Sequence, residues 1–303
     1  MAARSRRRHP WKEEDVLSTD TDVPTRSGAA EAPGVPHPGS HAIPAEAGFS
    51  LELSRAGELA TVTLNRPHKR NAQNPLTWTW LERAVNALPG TVRVLLVRGD
   101  GSSFSAGLDR ALLTPEGLPG VSNPMELAAL SEDEATRQIA SYQAGFAALA
   151  RPGVVSVALV QGHAVGAGFQ LALACDLRIA AADAQFTMAE VSLGLVPDLG
   201  GTKRLVELVG YSRAAGICLT GRRVPAAEAD RIGLVSAVVP PEQLAAVGGQ
   251  LVSRLLALPR TAVTETKALL LAASGRSQPE QEAAERAAQY RQLRELTGLH
   301  GEA

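Results

Sequence analysis

The first regular pattern in the chain is a pair of short alternating runs, Leu51 and Leu53, then Leu59 with Thr61-Val62-Thr63-Leu64. Arg55-Ala56-Gly57-Glu58 lies between them, so period-two spacing around a glycine turn predicts two joined strands. Pro75 to Leu88 has helical spacing. Val92 to Val97 is an unbroken run of Val and Leu around Arg93, of strand length and suited to burial on both faces. A loop with Gly99, Gly101 and Gly107 follows, and 110–125 is irregular around Pro115, Pro119 and Pro124. Ser131 to Ala150 reads as an amphipathic helix, with Ser131 at the N-cap and Glu134 in the capping-box place. Val154 to Val160 is a second buried strand, after which Gly166-Ala167-Gly168 opens a short helix, Phe169 to Ala174. Leu177 to Ala180 and Gln185 to Met188 are short strands, and beyond about Gly200 the chain is mostly helical. Strands alternating with helices make this an α/β protein, with the helical end, roughly 241–296, forming a separate layer for association.

Residues 1–46 do not fit this pattern. They hold six of the 19 prolines, a basic start (Arg4, Arg6, Arg7, Arg8) and few periodic apolar residues, and are expected to be a disordered extension. Trp11-Lys12-Glu13-Glu14 follows the basic start where a secretory signal needs an apolar stretch. In the whole chain, 30 Lys+Arg against 31 Asp+Glu give a net charge of −1, so charge offers no reason to expect nucleic acid or an anionic membrane as partner. Cys175 and Cys218 are the only cysteines, too few for a disulfide scaffold, and suit a reducing, cytoplasmic setting. The most apolar stretch, Val154 to Ala174, is broken by Gln161, His163 and Gln170, which favours a strand-turn-helix over a membrane span. The six histidines are scattered, so no metal site is expected.

Two glycine-containing loops each follow a buried strand: Phe104-Ser105-Ala106-Gly107-Leu108-Asp109 and His163-Ala164-Val165-Gly166-Ala167-Gly168-Phe169. If the strands are parallel neighbours, both loops emerge at one sheet edge. The second loop opens a helix whose first amides are unpaired. Two N–H groups converging on one carbonyl oxygen would form an oxyanion hole, worth about 3–4 kcal/mol per donor. Spacing alone does not separate this from two tight turns. Gly166-x-Gly168 also invites a dinucleotide reading, but Leu171 stands where the third glycine belongs.

Leu64-Asn65-Arg66-Pro67 with Asn71-Ala72, the two loops, the continuation Leu171-Ala172-Leu173-Ala174-Cys175-Asp176, Phe186 to Gly201, and Leu219-Thr220-Gly221 with Gly233-Leu234-Val235 occur in a characteristic order. Over about 49–275 the chain thereby resembles the crotonase (enoyl-CoA hydratase/isomerase) superfamily. The resemblance implies a crotonase-like spiral of ββα units over 47–240 that binds acyl-CoA thioesters, and a C-terminal helical region, 241–303, that builds homotrimers or hexamers. No cofactor is implied beyond the coenzyme A carried by the substrate. Oxyanion-hole amides fall on Leu108 and Ala167. Ala72, Ala106 and Gly166 match backbone positions around the acyl-CoA, Lys69 and Arg70 lie where basic side chains approach its phosphates, and Lys267 could reach a neighbour's CoA. Asp109 is placed at the substrate loop, as a hydrogen-bond acceptor that fixes it.

The two-glutamate hydratases of that superfamily carry one carboxylate on the helix after the glycine loop and one twenty residues later. Here the positions hold Gln170 and Glu190. An amide orients groups by hydrogen bonds but does not exchange protons near pH 7. The single Glu190 therefore resembles the double-bond isomerases, and Asp198 matches a carboxylate of the dienoyl-CoA isomerases, although Asp198 also suits an N-cap before Thr202-Lys203-Arg204-Leu205. The resemblance thus favours isomerisation of an enoyl- or dienoyl-CoA, with Glu190 as acid/base, Asp198 serving the far end of the conjugated system and Gln170 orienting acyl chain or water. The alternatives are hydration by Glu190 with Asp198, and an acyl-CoA-binding protein without catalysis.

Overall fold

The structure, a computed structural model, describes residues 43–298, so most of the extension expected over 1–46 lies outside the described residues. The described chain is packed from its start. A 3₁₀ turn, Ala45–Ala47, buries Ala47 completely. Asn74 Nδ2 donates to Glu46 O (2.9 Å) and Thr77 Oγ1 to Ala47 O (2.7 Å), so the main chain at Glu46 and Ala47 is tied to the start of the first long helix, while the Ala45 and Glu46 side chains stay exposed.

Strands β1 (Phe49–Leu53), β2 (Leu59–Leu64), β3 (Val94–Gly99), β4 (Val155–Val160), β6 (Leu177–Ala181) and β9 (Ala237–Val239) form one sheet in the order β1-β2-β3-β4-β6-β9. β1 and β2 are antiparallel and every other pair is parallel. A second sheet joins β5 (His163–Val165), β7 (Gln185–Thr187) and β8 (Arg223–Pro225), with β5 parallel and β8 antiparallel to β7. β8 and β9 lie in a region whose composition reads as helical. Each is three residues long and is fixed by its sheet partner, which local pattern does not reveal.

All six residues of β4 are buried because both faces of the main sheet are covered. Val157 and Leu159 meet α8 (Leu244–Ala257), where Gly248 comes so close that an added Cβ would lie 2.7 Å from Leu159 Cδ1. Ala158 and Val160 face the larger core. There α1 (Pro75–Asn86) packs on α3 (Glu132–Ala147) through Trp78, whose ring lies 5.2 Å from Tyr142 and 6.2 Å from Phe146. Both helices begin in capping boxes, from Asn74 and Ser131. The short α2 (Pro124–Ala128) precedes α3.

α4 (Ala167–Ala174) has all eight residues buried, consistent with a sequence in which Gln170 is the one polar side chain. Helices α5 (Gly201–Val209), α6 (Tyr211–Thr220) and α7 (Ala226–Arg231) follow, and the chain ends in α8, α9 (Arg260–Ala273) and α10 (Gln278–Leu296). Leu270, Tyr290, Leu293 and Leu296 on α9 and α10 are exposed.

Candidate active site

β3 and β4 run parallel in the register Val94↔Val155, so the chain leaves both strands at the same edge. Pairing continues past that edge: Ser105 N–H donates to His163 O (2.8 Å) and Val165 N–H to Ser105 O (3.0 Å). At Gly107 the chain turns with φ +81° and meets a new neighbour, Gln73. Gln73 N–H donates to Gly107 O and Asp109 N–H donates to Gln73 O, both at 2.7 Å. In a parallel bridge these bonds bracket Leu108 and leave its own N–H directed away from Gln73. Ala167 opens α4, where no carbonyl of the preceding turn is in place to accept its N–H. Neither N–H donates to another group among the described residues. A Cβ built on Gly107 would sit 2.3 Å from Val165 O and 3.4 Å from Ala167 N, so the two loops touch at this point. Two free main-chain donors on touching loops can grip one carbonyl oxygen.

Glu190 opens the 3₁₀ turn Glu190–Leu193 and is buried. Its carboxylate lies beside the same loop, with Oε1 3.3 Å and Oε2 3.8 Å from a Cβ built on Gly166. Oε1 accepts from Gln170 Nε2 at 2.7 Å, whereas Oε2 is buried with no partner among the described residues. Burial raises the Glu190 pKa above the ordinary carboxyl value; the bond from Gln170 opposes this and the Asp198 charge adds to it. Gln170 itself is 1% exposed and held from its other side: Oε1 accepts from Leu199 N–H (2.9 Å) and Gly201 N–H (3.2 Å).

Asp198 does not cap a helix. The N-cap of α5 is Gly200, in a left-handed conformation with no side-chain bond. The Asp198 main-chain oxygen accepts from Gln143 Nε2 (2.7 Å), and burial raises the pKa of its carboxyl. Its charge acts on both Glu190 and the Tyr142 hydroxyl, so the two carboxyls share one locality. Two neighbouring carboxyls whose pKa values are both raised, one buried and one half-buried, are candidates for acid-base chemistry.

The enoyl-CoA hydratase/isomerase family model matches residues 54–298. The chain belongs to that family. A solved Thermobifida fusca YX structure, named for enoyl-CoA hydratase and complexed with acetoacetyl-CoA, is 46% identical with a TM-score of 0.79. That comparison covers 83% of this chain and 96% of the other. The crotonyl-CoA hydratase of Syntrophomonas wolfei is 36% identical over 222 residues, 72% of this chain and 80% of the relative. The 2,3-dehydroadipyl-CoA hydratase of Escherichia coli K12 is 34% identical over 207 residues, 68% and 75% of the two chains. The mixed sheet with C-terminal helices is the crotonase-type α/β fold of these solved relatives. Their names speak for hydratases, and the preference for isomerisation drawn from Gln170 finds no support among them.

The remaining residues singled out in this enoyl-CoA hydratase/isomerase chain divide into two groups. Lys69, Arg70, Ala72 and Ala106 gather at one turn, where Ala106 N–H donates to Arg70 O (2.8 Å) and Ala72 N–H to Lys69 O (3.2 Å). Lys69 and Arg70 are exposed there, and Lys69 Nζ bonds Asp109 Oδ2 at 3.1 Å. Asp109 Oδ2 also accepts from Arg66 (2.8 Å), and Oδ1 from Ala111 N–H (3.2 Å). Burial pushes its carboxyl up, but these bonds outweigh burial and hold the pKa below the ordinary value, which makes Asp109 a loop tie and not a base. Lys267 stands apart. It is buried, donating to Val154 O (2.6 Å) and Asp176 Oδ2 (2.7 Å), so its ammonium is occupied within its own chain instead of reaching toward a neighbour's CoA.

Sequence reasoning missed three residues of the site. Gln73 brackets Leu108 by its main chain and bonds Trp78 Nε1 (2.8 Å) and Ser105 Oγ (3.0 Å) by its side chain. Ser105 Oγ accepts from Gly107 N–H (3.2 Å), and Tyr142 lies near Asp198. Ser105 stands inside one of the two glycine-containing loops; Gln73 and Tyr142 carry no local signal. Among the described residues no group of three or more His, Cys, Asp or Glu is placed to hold a metal, and no helix is long and apolar enough to cross a membrane.

Proposed function

We propose that this protein hydrates the double bond of a 2-enoyl-CoA thioester. One observation carries the proposal: the loops that bear the free Leu108 and Ala167 N–H groups touch beside a buried Glu190 carboxylate whose Oε2 has no partner among the described residues. The thioester oxygen accepts both N–H groups, which withdraws electrons from the conjugated chain and makes C3 electrophilic. Ionised Asp198 takes a proton from water as its oxygen adds to C3, and protonated Glu190 delivers a proton to C2. The Asp198 charge raises the Glu190 pKa, which favours a protonated Glu190 beside an ionised Asp198. The exposed Lys69 and Arg70 meet the CoA phosphates, and coenzyme A enters with the substrate, so the scheme needs no other cofactor. The names of the relatives support hydration over isomerisation.

Gln170 favours a second reading. With an amide at that place, Glu190 alone could carry a proton from C2 to C4 and shift the double bond. Purified protein offered 2-enoyl-, 3-enoyl- and dienoyl-CoA separates the two. Hydration bleaches the 2-enoyl thioester and yields a 3-hydroxyacyl-CoA. Appearance of conjugation from 3-enoyl-CoA, with no hydroxy product from 2-enoyl-CoA, would replace hydration by isomerisation. We also assign the exposed Leu270, Tyr290 and Leu293 face to contact with further copies of the chain, which sedimentation equilibrium tests.

A further inference from the structure

Gln170 has a restricted set of roles because of what surrounds it. Its Oε1 already receives two main-chain N–H groups, from Leu199 and Gly201, which lie 29 and 31 residues further along the chain. An amide turned end for end would set its NH₂ against those two donors, so the orientation is fixed by the backbone. Gly201 permits this contact: a Cβ there would lie 2.7 Å from Gln170 Cγ. The NH₂ must then face Glu190 and donate to Oε1.

We infer that Gln170 is a positioning residue that locks Oε1 of Glu190 and leaves Oε2 as the atom that exchanges the C2 proton. The inference rests on the reading of Glu190 as the acid/base, and deepens it. Gln170 acts through Glu190 and touches neither water nor acyl chain by its Oε1, which corrects the expectation that it orients them. As a neutral donor it also favours the ionised form of Glu190, the form that accepts a proton from C2. Of the other titratable groups nearby, the charge of Asp198, from the loop ahead of α5, acts at Glu190, and the Glu190 charge in turn raises the pKa of the Cys218 thiol of α6. Neither supplies a hydrogen bond to Oε1.

Gln170→Met tests this, because it removes the donor to Glu190 without adding a charge. Gln170→Glu is its companion: it keeps an oxygen for the Leu199 and Gly201 amides, so the loop retains its anchor, but it sets a second carboxyl against Glu190. The readout is exchange of the C2 proton of a saturated acyl-CoA in D₂O across a pH series, because this step needs Glu190 alone. Hydrogen bonds to charged groups are worth about 1.5–3 kcal/mol, or roughly one to two pH units. The ascending limb of exchange should therefore move up by about one to two pH units, lowering the rate at fixed pH below the limb by about ten- to a hundred-fold, with acyl-CoA affinity within about three-fold of the parent. Gln170→Glu should move the limb in the same direction. An unmoved limb in Gln170→Met would overturn the positioning role even where the added carboxyl of Gln170→Glu shifts its own limb, and so would a rate loss that only follows the unfolded fraction. Glu190→Gln is run beside them. If it still exchanges, the acid/base reading itself has failed; if it is silent while the Gln170→Met limb stays put, only the present inference has.

Discussion

Gly107→Ala should separate the two main-chain donors without touching a side chain of the site. Gly107 has φ +81°, where an L-residue costs about 1–2 kcal/mol. The added methyl would lie 2.3 Å from Val165 O, against a usual carbon–oxygen contact of about 3.3 Å, so the loops must part by about 1 Å. A misplacement of about 1 Å costs on the order of 10²-fold in rate, and loss of one oxyanion donor on the order of 10²–10³-fold. The kcat for hydration, followed by the loss of thioester conjugation, should fall about 10²-fold. Thermal unfolding should drop by about 4–8 °C for about 2 kcal/mol. Gly153→Ala is the matched control, since no atom lies within 4 Å of a Cβ there and its backbone is ordinary; it should change neither quantity. A folded Gly107→Ala enzyme with kcat within about three-fold of the parent would refute the contact of the two loops as the source of rate.

Three further substitutions probe the charges. Glu190→Gln should raise the melting temperature at pH 8 and leave it unchanged at pH 4. Burial raises the folded pKa above the unfolded one, so this carboxyl favours the folded state below its unfolded pKa and loses that benefit as pH rises through the folded value. Each tenfold difference in proton affinity between the folded and unfolded chain is worth about 1.4 kcal/mol, and calorimetry at the two pH values checks the gain. Asp198→Asn removes the negative neighbour of Glu190, so the limb of C2-proton exchange should move to lower pH while kcat for hydration falls about 10²–10⁴-fold. Lys267→Met strands Asp176 and should cost about 3–5 kcal/mol in denaturant unfolding, with kcat per folded molecule retained.

Much of the fold is visible in local pattern because the residues concerned decide their own conformation. The aliphatic runs become β3 and β4, and Ser131 with Glu134 caps α3 as its spacing demands. The run at Val92 is displaced by two residues, since Val92 N–H closes a turn onto Pro89 O and pairing begins at Val94. The short helix expected from Phe169 begins at Ala167, and the irregular stretch 110–125 holds a 3₁₀ turn, Arg110–Leu113, and the first two residues of α2. What local pattern does not carry is contact at long range. β8 and β9 exist because β7 and β6 offer them edges. The site divides the same way: glycine loops announce themselves by composition, whereas the clamp on Gln170 is built from main-chain amides 29 and 31 residues distant and leaves no residue-type signature. Asp198 is ambiguous in sequence for a related reason. Whether it caps α5 depends on the conformation of Gly200, and that glycine is left-handed and takes the cap position itself.

The most direct measurement is a crystal structure of the protein soaked with acetoacetyl-CoA. The thioester oxygen should lie within about 3 Å of both Leu108 N and Ala167 N, with Glu190 Oε2 facing C2 and Oε1 still held by Gln170. An oxygen bound to only one of those amides, or a Glu190 turned away from the two loops, would contradict the mechanism proposed for this enzyme.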